Sequence, residues 1–208
     1  MSEHRVPTWE VTASGGLETA WVQIHPGPAG PPDPASHAPG PASPGRLLAR
    51  GRAVGTEPEP YWLSYELETG DDYATRRLTV RVEDAGQVRE LDLRRSAAGG
   101  WTVDGHPRPD LEGAFDCDLG LCPLTNSMPV LRHALHRNPG EHAFLMAWVS
   151  VPDLAVRPSR QTYTHLGRTG SGGARIRYAS GDFTADVDFD ADGLVVDYPD
   201  LARRRFIG

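Results

Sequence analysis

Residues 61–68 read Tyr-Trp-Leu-Ser-Tyr-Glu-Leu-Glu, and their alternation is a clear indication of the fold class. Every second residue from Tyr61 to Leu67 is aromatic or aliphatic, whereas residues 64, 66 and 68 are polar. Since successive side chains of a β-strand point to opposite faces, the pattern predicts a strand with one buried face and one solvent-exposed face. Trp62 falls on the polar face, which places it either at an exposed rim or in a ligand pocket.

The two-residue period continues in both directions along the chain. In residues 76–82, Leu78, Val80 and Val82 alternate with other side chains, and Leu91 and Leu93 repeat the pattern. Residues 143–151 are instead an almost unbroken apolar run, which predicts a strand buried on both faces. We predict further strands within residues 6–24 (two strands joined at Gly15-Gly16), 47–54, 101–103, 159–165, 175–178 and 183–198 (a hairpin turning at Asp192-Gly193).

Strands that recur along the chain with turn residues between them predict an all-β meander, which is a barrel, a roll or a sandwich. Residues 130–137 have a helical pattern, enough for one short helix. In the last hairpin we expect Leu194, Val196 and Tyr198 to share one face.

Residues 26–45 interrupt the strand pattern, because eight of these twenty residues are Pro and four are Gly. Such a segment has too few amide donors and too little apolar surface for a packed element, so we predict an exposed loop. The residues before it are too few to fold alone. The sequence therefore predicts one domain over residues 1–208 with a loop insertion at about 26–45.

Composition excludes several classes of function. The net charge of −7 argues against a general nucleic-acid binder, which needs clustered cations, and all 21 basic residues are Arg. No run approaches the ~18 apolar residues of a membrane-spanning helix. Residues 1–5 have no apolar core of a secretory signal, so we expect a cytoplasmic protein.

Residues 111–136 hold most of the side chains that are able to do chemistry, and we expect this central segment to form one wall of any site. It contains Asp116, Cys117, Asp118, Cys122, Asn126, Arg132, His133 and His136.

Two carboxylates on one side of a strand are either a metal or acid–base pair, or residues that face solvent and cap turns. Asp116 and Asp118 have that spacing, and both interpretations stay open. His133 and His136 would lie on the same face only in a helix, where they could offer two ligands to a metal ion. Because no third ligand is nearby in the sequence, we predict no metal site, and we predict no cofactor. We expect the two cysteines to be small buried hydrophobes, since one C-x₄-C pair makes neither a disulfide framework nor a zinc site.

A set of short motifs, in this order and spacing, resembles a family of bacterial proteins described as glycolipid-binding. The motifs are Gly16-Leu17-Glu18, Tyr61-x-Leu63-x-Tyr65, Arg76-x-Leu78-x-Val80, Gly100-Trp101-x-x-x-Gly105, Leu111-x-Gly113-x-x-Asp116-x-Asp118-Leu119, Pro123-Leu124-Thr125-Asn126-Ser127-x-Pro129, Ala147-Trp148-Val149, Gln161-x-Tyr163 and Asp192-Gly193-Leu194-Val195-x-x-Tyr198-Pro199. The resemblance implies a spiral β-roll, which is a single curled antiparallel sheet, with a cavity for an acyl chain or glycolipid and no established catalytic residues. It covers nearly the whole chain except residues 26–45.

We therefore expect non-enzymatic binding of a lipid-like or glycolipid-like small molecule in an apolar cavity. The expected apolar wall consists of Trp101, Phe144, Trp148 and Tyr163, and the expected head-group contacts are Asp116, Asp118, Asn126, Arg132 and Gln161. The oligomeric state stays open.

Two other classes of function compete with this one. A hydrolase would use Asp116 or Asp118 as a base, with His133 nearby. A structural or interaction module would have an interior packed solid with side chains.

Overall fold

The computed structural model describes residues 3–25, 27, 45–170 and 172–205. These residues form sixteen β-strands, one α-helix and three short 3-10 turns. The strands are β1 (Glu3–Arg5), β2 (Thr8–Val11), β3 (Gly16–His25), β4 (Arg46–Gly55), β5 (Tyr61–Thr69), β6 (Thr75–Asp84), β7 (Gln87–Arg95), β8 (Trp101–Val103), β9 (His106–Pro107), β10 (Asp116–Leu119), β11 (Glu141–Val149), β12 (Val156–Arg168), β13 (Ala174–Ser180), β14 (Phe183–Phe189), β15 (Val195–Tyr198) and β16 (Ala202–Arg205). The helix is α1 (Ser127–Arg132), and the 3-10 turns are Thr12–Ser14, Pro109–Leu111 and Pro123–Asn126.

All of these strands belong to one sheet. Their order is β10-β11-β12-β13-β14-β15-β16-β2-β3-β4-β5-β6-β7-β8-β9, and β1 pairs with β3 off this path. The predicted all-β fold with one curled sheet and little helix is confirmed. One pair departs from the antiparallel pattern, because β10 and β11 run parallel. The chain between them is long enough for the crossover that parallel strands require.

The sheet curls until its β10 end lies against β6, although it does not close into a barrel. The backbone N–H of Thr75 donates to the carbonyl oxygen of Phe115 over 3.0 Å. The Thr75 hydroxyl accepts a hydrogen bond from the Cys117 N–H over 2.9 Å. These contacts join the two parts of the roll without a continuous strand ladder between them.

The central segment, residues 111–136, runs through the interior of the curl. Leu111, Leu119, Leu124, Met128 and Leu135 are all fully buried along it. Their burial shows that side chains of the central segment fill much of the space that a hollow roll would leave open.

The alternation in β5 and β6 is confirmed. Every second residue from Tyr61 to Leu67 is buried in β5, and every second residue from Leu78 to Val82 is buried in β6. Trp62 is 68% exposed, so the polar face of β5 is a true surface.

The prediction of a strand buried on both faces at residues 143–151 holds for only half of it. Met146, Ala147 and Val149 are buried, whereas Ala143 is exposed. The reason is the short length of β10, which pairs only with residues 146–149 and leaves the first half of β11 at the sheet edge.

The last hairpin differs from its predicted register. Val195 is fully buried and Val196 only partly so, although Leu194 and Tyr198 are buried as expected. The register shifts between Asp188 and Phe189, and such a bulge reverses which side chains face the core.

The predicted short helix is present but begins earlier, at Ser127, and ends at Arg132. Ala134 has φ +50°, which is incompatible with continued right-handed helix. The Pro/Gly-rich loop predicted at residues 26–45 lies outside the described residues, apart from Gly27 and Gly45. Within the described part of the chain, no helix has the length and hydropathy to cross a bilayer.

Candidate functional site

A pocket of about 340 Å³ lies beside the C-terminal end of β10. Small-molecule sites in proteins have volumes of ~300–1,000 Å³, so this pocket is at the lower end of that range. Its polar lining includes Asp118 and Asn126, and its apolar lining includes Leu119, Leu121, Trp148, Tyr178, Phe183 and Tyr198. The pocket therefore combines apolar walls with two convergent polar groups.

The local backbone explains how these polar groups meet. After β10, the N–H of Gly120 donates to the carbonyl oxygen of Val149 over 2.8 Å. A Cβ atom on Gly120 would lie 3.1 Å from that same oxygen, so the close approach favours glycine. Leu121 then adopts φ +61°, and the chain enters the Pro123–Asn126 turn. This reversal returns Asn126 to the side of Asp118.

Asp118 accepts hydrogen bonds from three neutral side chains. Its Oδ1 atom accepts from the Thr125 hydroxyl over 3.0 Å and from Asn126 Nδ2 over 3.4 Å. Its Oδ2 atom accepts from Gln161 Nε2 over 2.6 Å, and Gln161 Oε1 in turn accepts from the Tyr163 hydroxyl over 3.2 Å. The carboxyl group is thus held in a fixed orientation by a chain of hydrogen bonds.

The environment of this carboxyl group favours its neutral form. Burial raises the pKa of Asp118, while the hydrogen bonds from Gln161 and Thr125 oppose that rise. Asp118 has no ion pair with an Arg or His side chain within the described residues. A hydroxyl group of a ligand would therefore contact a carboxyl group that has no ion-pair partner within the described residues.

Asn126 contributes a free acceptor to the same corner. Its Oδ1 atom is buried and has no hydrogen-bond partner in the described part of the chain. A buried polar atom without a partner costs free energy, so such an atom is a candidate contact for a bound molecule.

Aromatic rings surround the other side of the pocket. The ring centroids of Tyr178 and Phe183 are 6.0 Å apart, and those of Tyr178 and Tyr198 are 5.9 Å apart. The Arg157 guanidinium lies 4.8 Å from the ring centroid of Trp148, which fixes that indole at the wall. Rings of this kind pack against either the apolar face of a sugar or an acyl chain.

Asp116 has a different role from Asp118. It is fully buried and forms a bidentate ion pair with Arg132, whose Nη1 donates to Asp116 Oδ2 over 2.7 Å and whose Nη2 donates to Asp116 Oδ1. Arg132 also donates to the carbonyl oxygen of Asp72 over 2.8 Å. This pair joins α1 to the chain before β6 and lies outside the pocket lining.

Two of the predicted wall residues also lie elsewhere. Trp101 is buried in the main core, where its Nε1 donates to the carbonyl oxygen of Ala114 over 3.0 Å. Phe144 packs edge-on against Tyr163, with ring centroids 5.8 Å apart. Of the predicted site residues, Asp118, Asn126 and Trp148 line the pocket. Gln161 and Tyr163 are joined to Asp118 by hydrogen bonds but do not line it. The remaining four, Trp101, Asp116, Arg132 and Phe144, lie outside the lining.

The histidines and cysteines of the central segment do not gather at one site. His133 stacks on His142 with ring centroids 3.9 Å apart, and His136 is buried. Cys117 and Cys122 are buried free thiols, as the sequence predicts. The described residues contain no group of three or more His, Cys, Asp or Glu side chains that would hold a metal ion.

Sequence reasoning missed Glu18, which lies fully buried behind the pocket. Its Oε1 accepts hydrogen bonds from the Tyr65 hydroxyl over 2.6 Å and from Cys122 Sγ over 3.1 Å. Burial raises the pKa of Glu18 to about 7. The signal was present in the sequence, because Glu18 has the same phase in β3 as the buried residues Ala20 and Val22.

The two tyrosines Tyr178 and Tyr198 were also missed as pocket residues. Each reads as an ordinary core residue of an alternating strand, and the sequence gives no sign that the curl places them opposite Asp118.

Comparisons with solved structures support the fold. The crystal structure of a DUF1089 family protein from Pseudomonas aeruginosa is similar, with a TM-score of 0.65 and 27% identity over 89% of this chain and 92% of that one. A beta-barrel-like protein from Brucella abortus, a domain of unknown function DUF1849, is similar in fold alone, with a TM-score of 0.50 and 10% identity over 99% of this chain and 95% of that one.

Among curated proteins, none matches the sequence. The family model described as "Putative glycolipid-binding" matches residues 41–204, and this range includes the pocket lining, Asp116, Asp118 and the strands from β4 to β15. The chain therefore belongs to the family that bears this description.

Proposed function

We propose that the protein binds a glycolipid-like molecule without transforming it, and that the pocket beside Asp118 receives the hydroxyl-bearing part of the ligand. The family description supports this ligand class. The lining supports the same assignment, because the pocket sets a carboxyl group and a carboxamide group against aromatic rings.

The observation that carries the proposal is the unpartnered Oδ1 atom of Asn126 in a lined pocket. A ligand hydroxyl that donates to this atom would satisfy a buried acceptor, which is worth about 0.5–1.5 kcal/mol for an ordinary hydrogen bond. An aliphatic molecule without hydroxyl groups would leave the acceptor unsatisfied, so the site discriminates in favour of a polyhydroxyl head group.

The rest of such a ligand extends out of the pocket. A volume of about 340 Å³ is too small for a sugar together with a long acyl chain. Phe183 is 47% exposed and lies at the lining, so it marks the direction in which an acyl chain continues along the surface.

The test uses n-octyl β-D-glucopyranoside below its critical micelle concentration, with 1-octanol as the probe that lacks the sugar. Isothermal titration calorimetry of the full chain measures both affinities. We expect Asn126→Leu to weaken glucoside binding up to about tenfold, which corresponds to one ordinary hydrogen bond, and to leave octanol binding unchanged. Asn138→Leu is the matched control, since Asn138 is exposed and outside the pocket.

A second pair of variants tests the aromatic mouth of the pocket. Phe183→Ala should weaken binding of both probes, whereas Phe115→Ala should not, although Phe115 has a nearly equal exposure of 46%. Equal affinities in these two variants, or no binding of either probe to the native chain, would refute the proposal.

One observation favours the hydrolase alternative in a changed form. The raised pKa of Asp118 in a pocket is a property of catalytic acids as well as of binding sites. His133 gives no support, because it stacks on His142 and has no hydrogen bond to Asp116 or Asp118 among the described residues. The test of the hydrolase alternative is hydrolysis of p-nitrophenyl octanoate or p-nitrophenyl β-D-glucoside. If the native chain hydrolyses either substrate and Asp118→Asn abolishes this activity, the protein is a hydrolase and the proposal of binding without transformation is wrong.

A further inference from the structure

We propose a second ligand site, on the outer face of strands β3–β6, for an acidic oligosaccharide. The site rests on an exposed groove that is separate from the pocket beside Asp118. We call it the outer groove, and it is defined by Thr19, Trp21, Arg50, Arg52, Ser64, Glu66, Thr79 and Arg81.

The outer groove has a volume of about 580 Å³ and lies on the solvent side of the sheet. Its side chains form two parallel rows across the four strands. The strand register pairs Thr19 with Arg52, Arg52 with Ser64, and Ser64 with Arg81. In the neighbouring row it pairs Trp21 with Arg50, then Glu66, then Thr79. In the first of these rows, hydroxyl groups therefore alternate with guanidinium groups.

Arg52 is an exposed cation of the outer groove and has no carboxylate partner within the described residues. Its neighbours are already engaged: Arg50 pairs with Glu66 at 3.4 Å, and Arg81 with Glu83 at 3.0 Å. The groove lining contains three guanidinium groups and one carboxylate, in a protein whose net charge is −7. Because Arg50 is paired with Glu66, and Arg81 with Glu83 and Glu90, the guanidinium group open to an anionic ligand is that of Arg52, and a guanidinium group binds a carboxylate at two points.

Two tryptophans flank Arg52 on opposite diagonals. Trp21 is two residues from Thr19 on β3, and Trp62 is two residues from Ser64 on β5, so each is a diagonal neighbour of Arg52. Diagonal neighbours in a sheet are ~7–8 Å apart, within reach of long side chains. Both indoles are 68% exposed.

The spacing of the two indoles indicates the size of the ligand. Trp21 and Trp62 lie two strands apart and are offset by four residues along the sheet, which places their Cα atoms about 16 Å apart. That separation is greater than one monosaccharide, and Trp62 lies beyond the lining of the outer groove, so a ligand that contacts both indoles is a short oligosaccharide that extends past the groove. The acidic group of the ligand would lie between them, at Arg52.

Trigalacturonate is the probe for this site, and maltotriose is the neutral trisaccharide for comparison. Calorimetric titration of the full chain should show tighter binding of trigalacturonate than of maltotriose. Arg52→Gln should weaken trigalacturonate binding by about tenfold or more, because a charge-assisted contact is lost, and should leave maltotriose binding unchanged. Arg46→Gln is the matched control, since Arg46 is exposed on the same strand outside the groove.

A Trp21→Ala variant should weaken the binding of both trisaccharides. Equal effects of Arg52→Gln and Arg46→Gln would overturn the proposal, as would the absence of trigalacturonate binding. Binding to phosphatidylcholine vesicles that needs Trp21 and Trp62, without binding of either trisaccharide, would also overturn it in favour of a membrane surface. Octyl glucoside affinity measured in Arg52→Gln separates the two sites, since the pocket proposal requires it to stay unchanged.

Discussion

Replacement of Glu18 by Gln is expected to remove a pH-dependent loss of stability that the buried carboxyl group imposes on the fold. Glu18 is fully buried on β3, and its Oε1 atom accepts hydrogen bonds from Tyr65 and Cys122. Its Oε2 atom has no partner in the described part of the chain. Gln is a close mimic of the protonated acid, because it places its amide nitrogen where the acid carries its proton.

The magnitude follows from the change of pKa on folding. The pKa of Glu18 rises from an ordinary value of 4.5 to about 7, because burial disfavours the carboxylate. The unfolded chain loses this proton near pH 4.5, whereas the folded chain keeps it until about pH 7. Between these values the folded state binds more protons, so stability falls as pH rises, by a total of ~3 kcal/mol.

The assay is urea unfolding followed by tryptophan fluorescence, on the native chain and on Glu18→Gln. The variant should be within about 1 kcal/mol of the native chain near pH 5 and should gain roughly 2–3 kcal/mol over it near pH 8.5. Glu68→Gln is the matched control, since Glu68 is exposed on β5 and should show no such gain. A stability difference between Glu18→Gln and the native chain that is the same at both pH values would refute the reasoning.

Three further predictions concern other buried contacts. His136 is buried, and burial lowers its pKa from 6.5 to about 4. The free energy of unfolding should therefore fall as pH drops from 6.5 towards 4, and His136→Leu should reduce that pH dependence in urea titrations. Gly193 has φ +76°, and a Cβ atom there would lie 2.8 Å from the Leu131 side chain, so Gly193→Ala should lower the free energy of unfolding by ~2–3 kcal/mol. Gly105→Ala is the control and should cost ~1 kcal/mol, because Gly105 has a similar φ of +81° but open space around it. Equal losses of stability in the two variants would contradict the role of the Leu131 contact. Asp116→Asn should cost ~3–5 kcal/mol in urea unfolding, because it leaves the Arg132 guanidinium without its counter-charge, and combination with Arg132→Met should recover part of that loss.

The alternating strands were predictable because their signal is local. The phase of Tyr61, Leu63 and Leu78 depends only on side chains that are two residues apart.

The limits of local reasoning appear where two distant segments meet. Asp188 and Phe189 pair with Asp197 and Val195, so Val196 is the extra residue of a bulge in β15 and Val195 faces the core in its place. No local sequence pattern predicts this shift. The spacing of Asp116 and Asp118 was correctly noted, but the sequence left open whether they face solvent or the interior. Both are buried, because Arg132 of α1 packs on Asp116, and Thr125 and Asn126 of the turn after β10 pack on Asp118.

Short-range alternation and ordered motifs were enough to predict the all-β class, the family and the phase of strands such as β5 and β6, although not the phase of the last hairpin. Tertiary structure alone decided that Asp116 meets Arg132 while Asp118 meets Gln161 and Asn126, although the two carboxyl groups are only two residues apart. It also decided that Tyr178 and Tyr198 lie opposite Asp118, and that Arg52 lies between two indoles. The physical reason is that a pocket consists of contacts between residues far apart in the chain, and the curl and register of the whole sheet set those contacts.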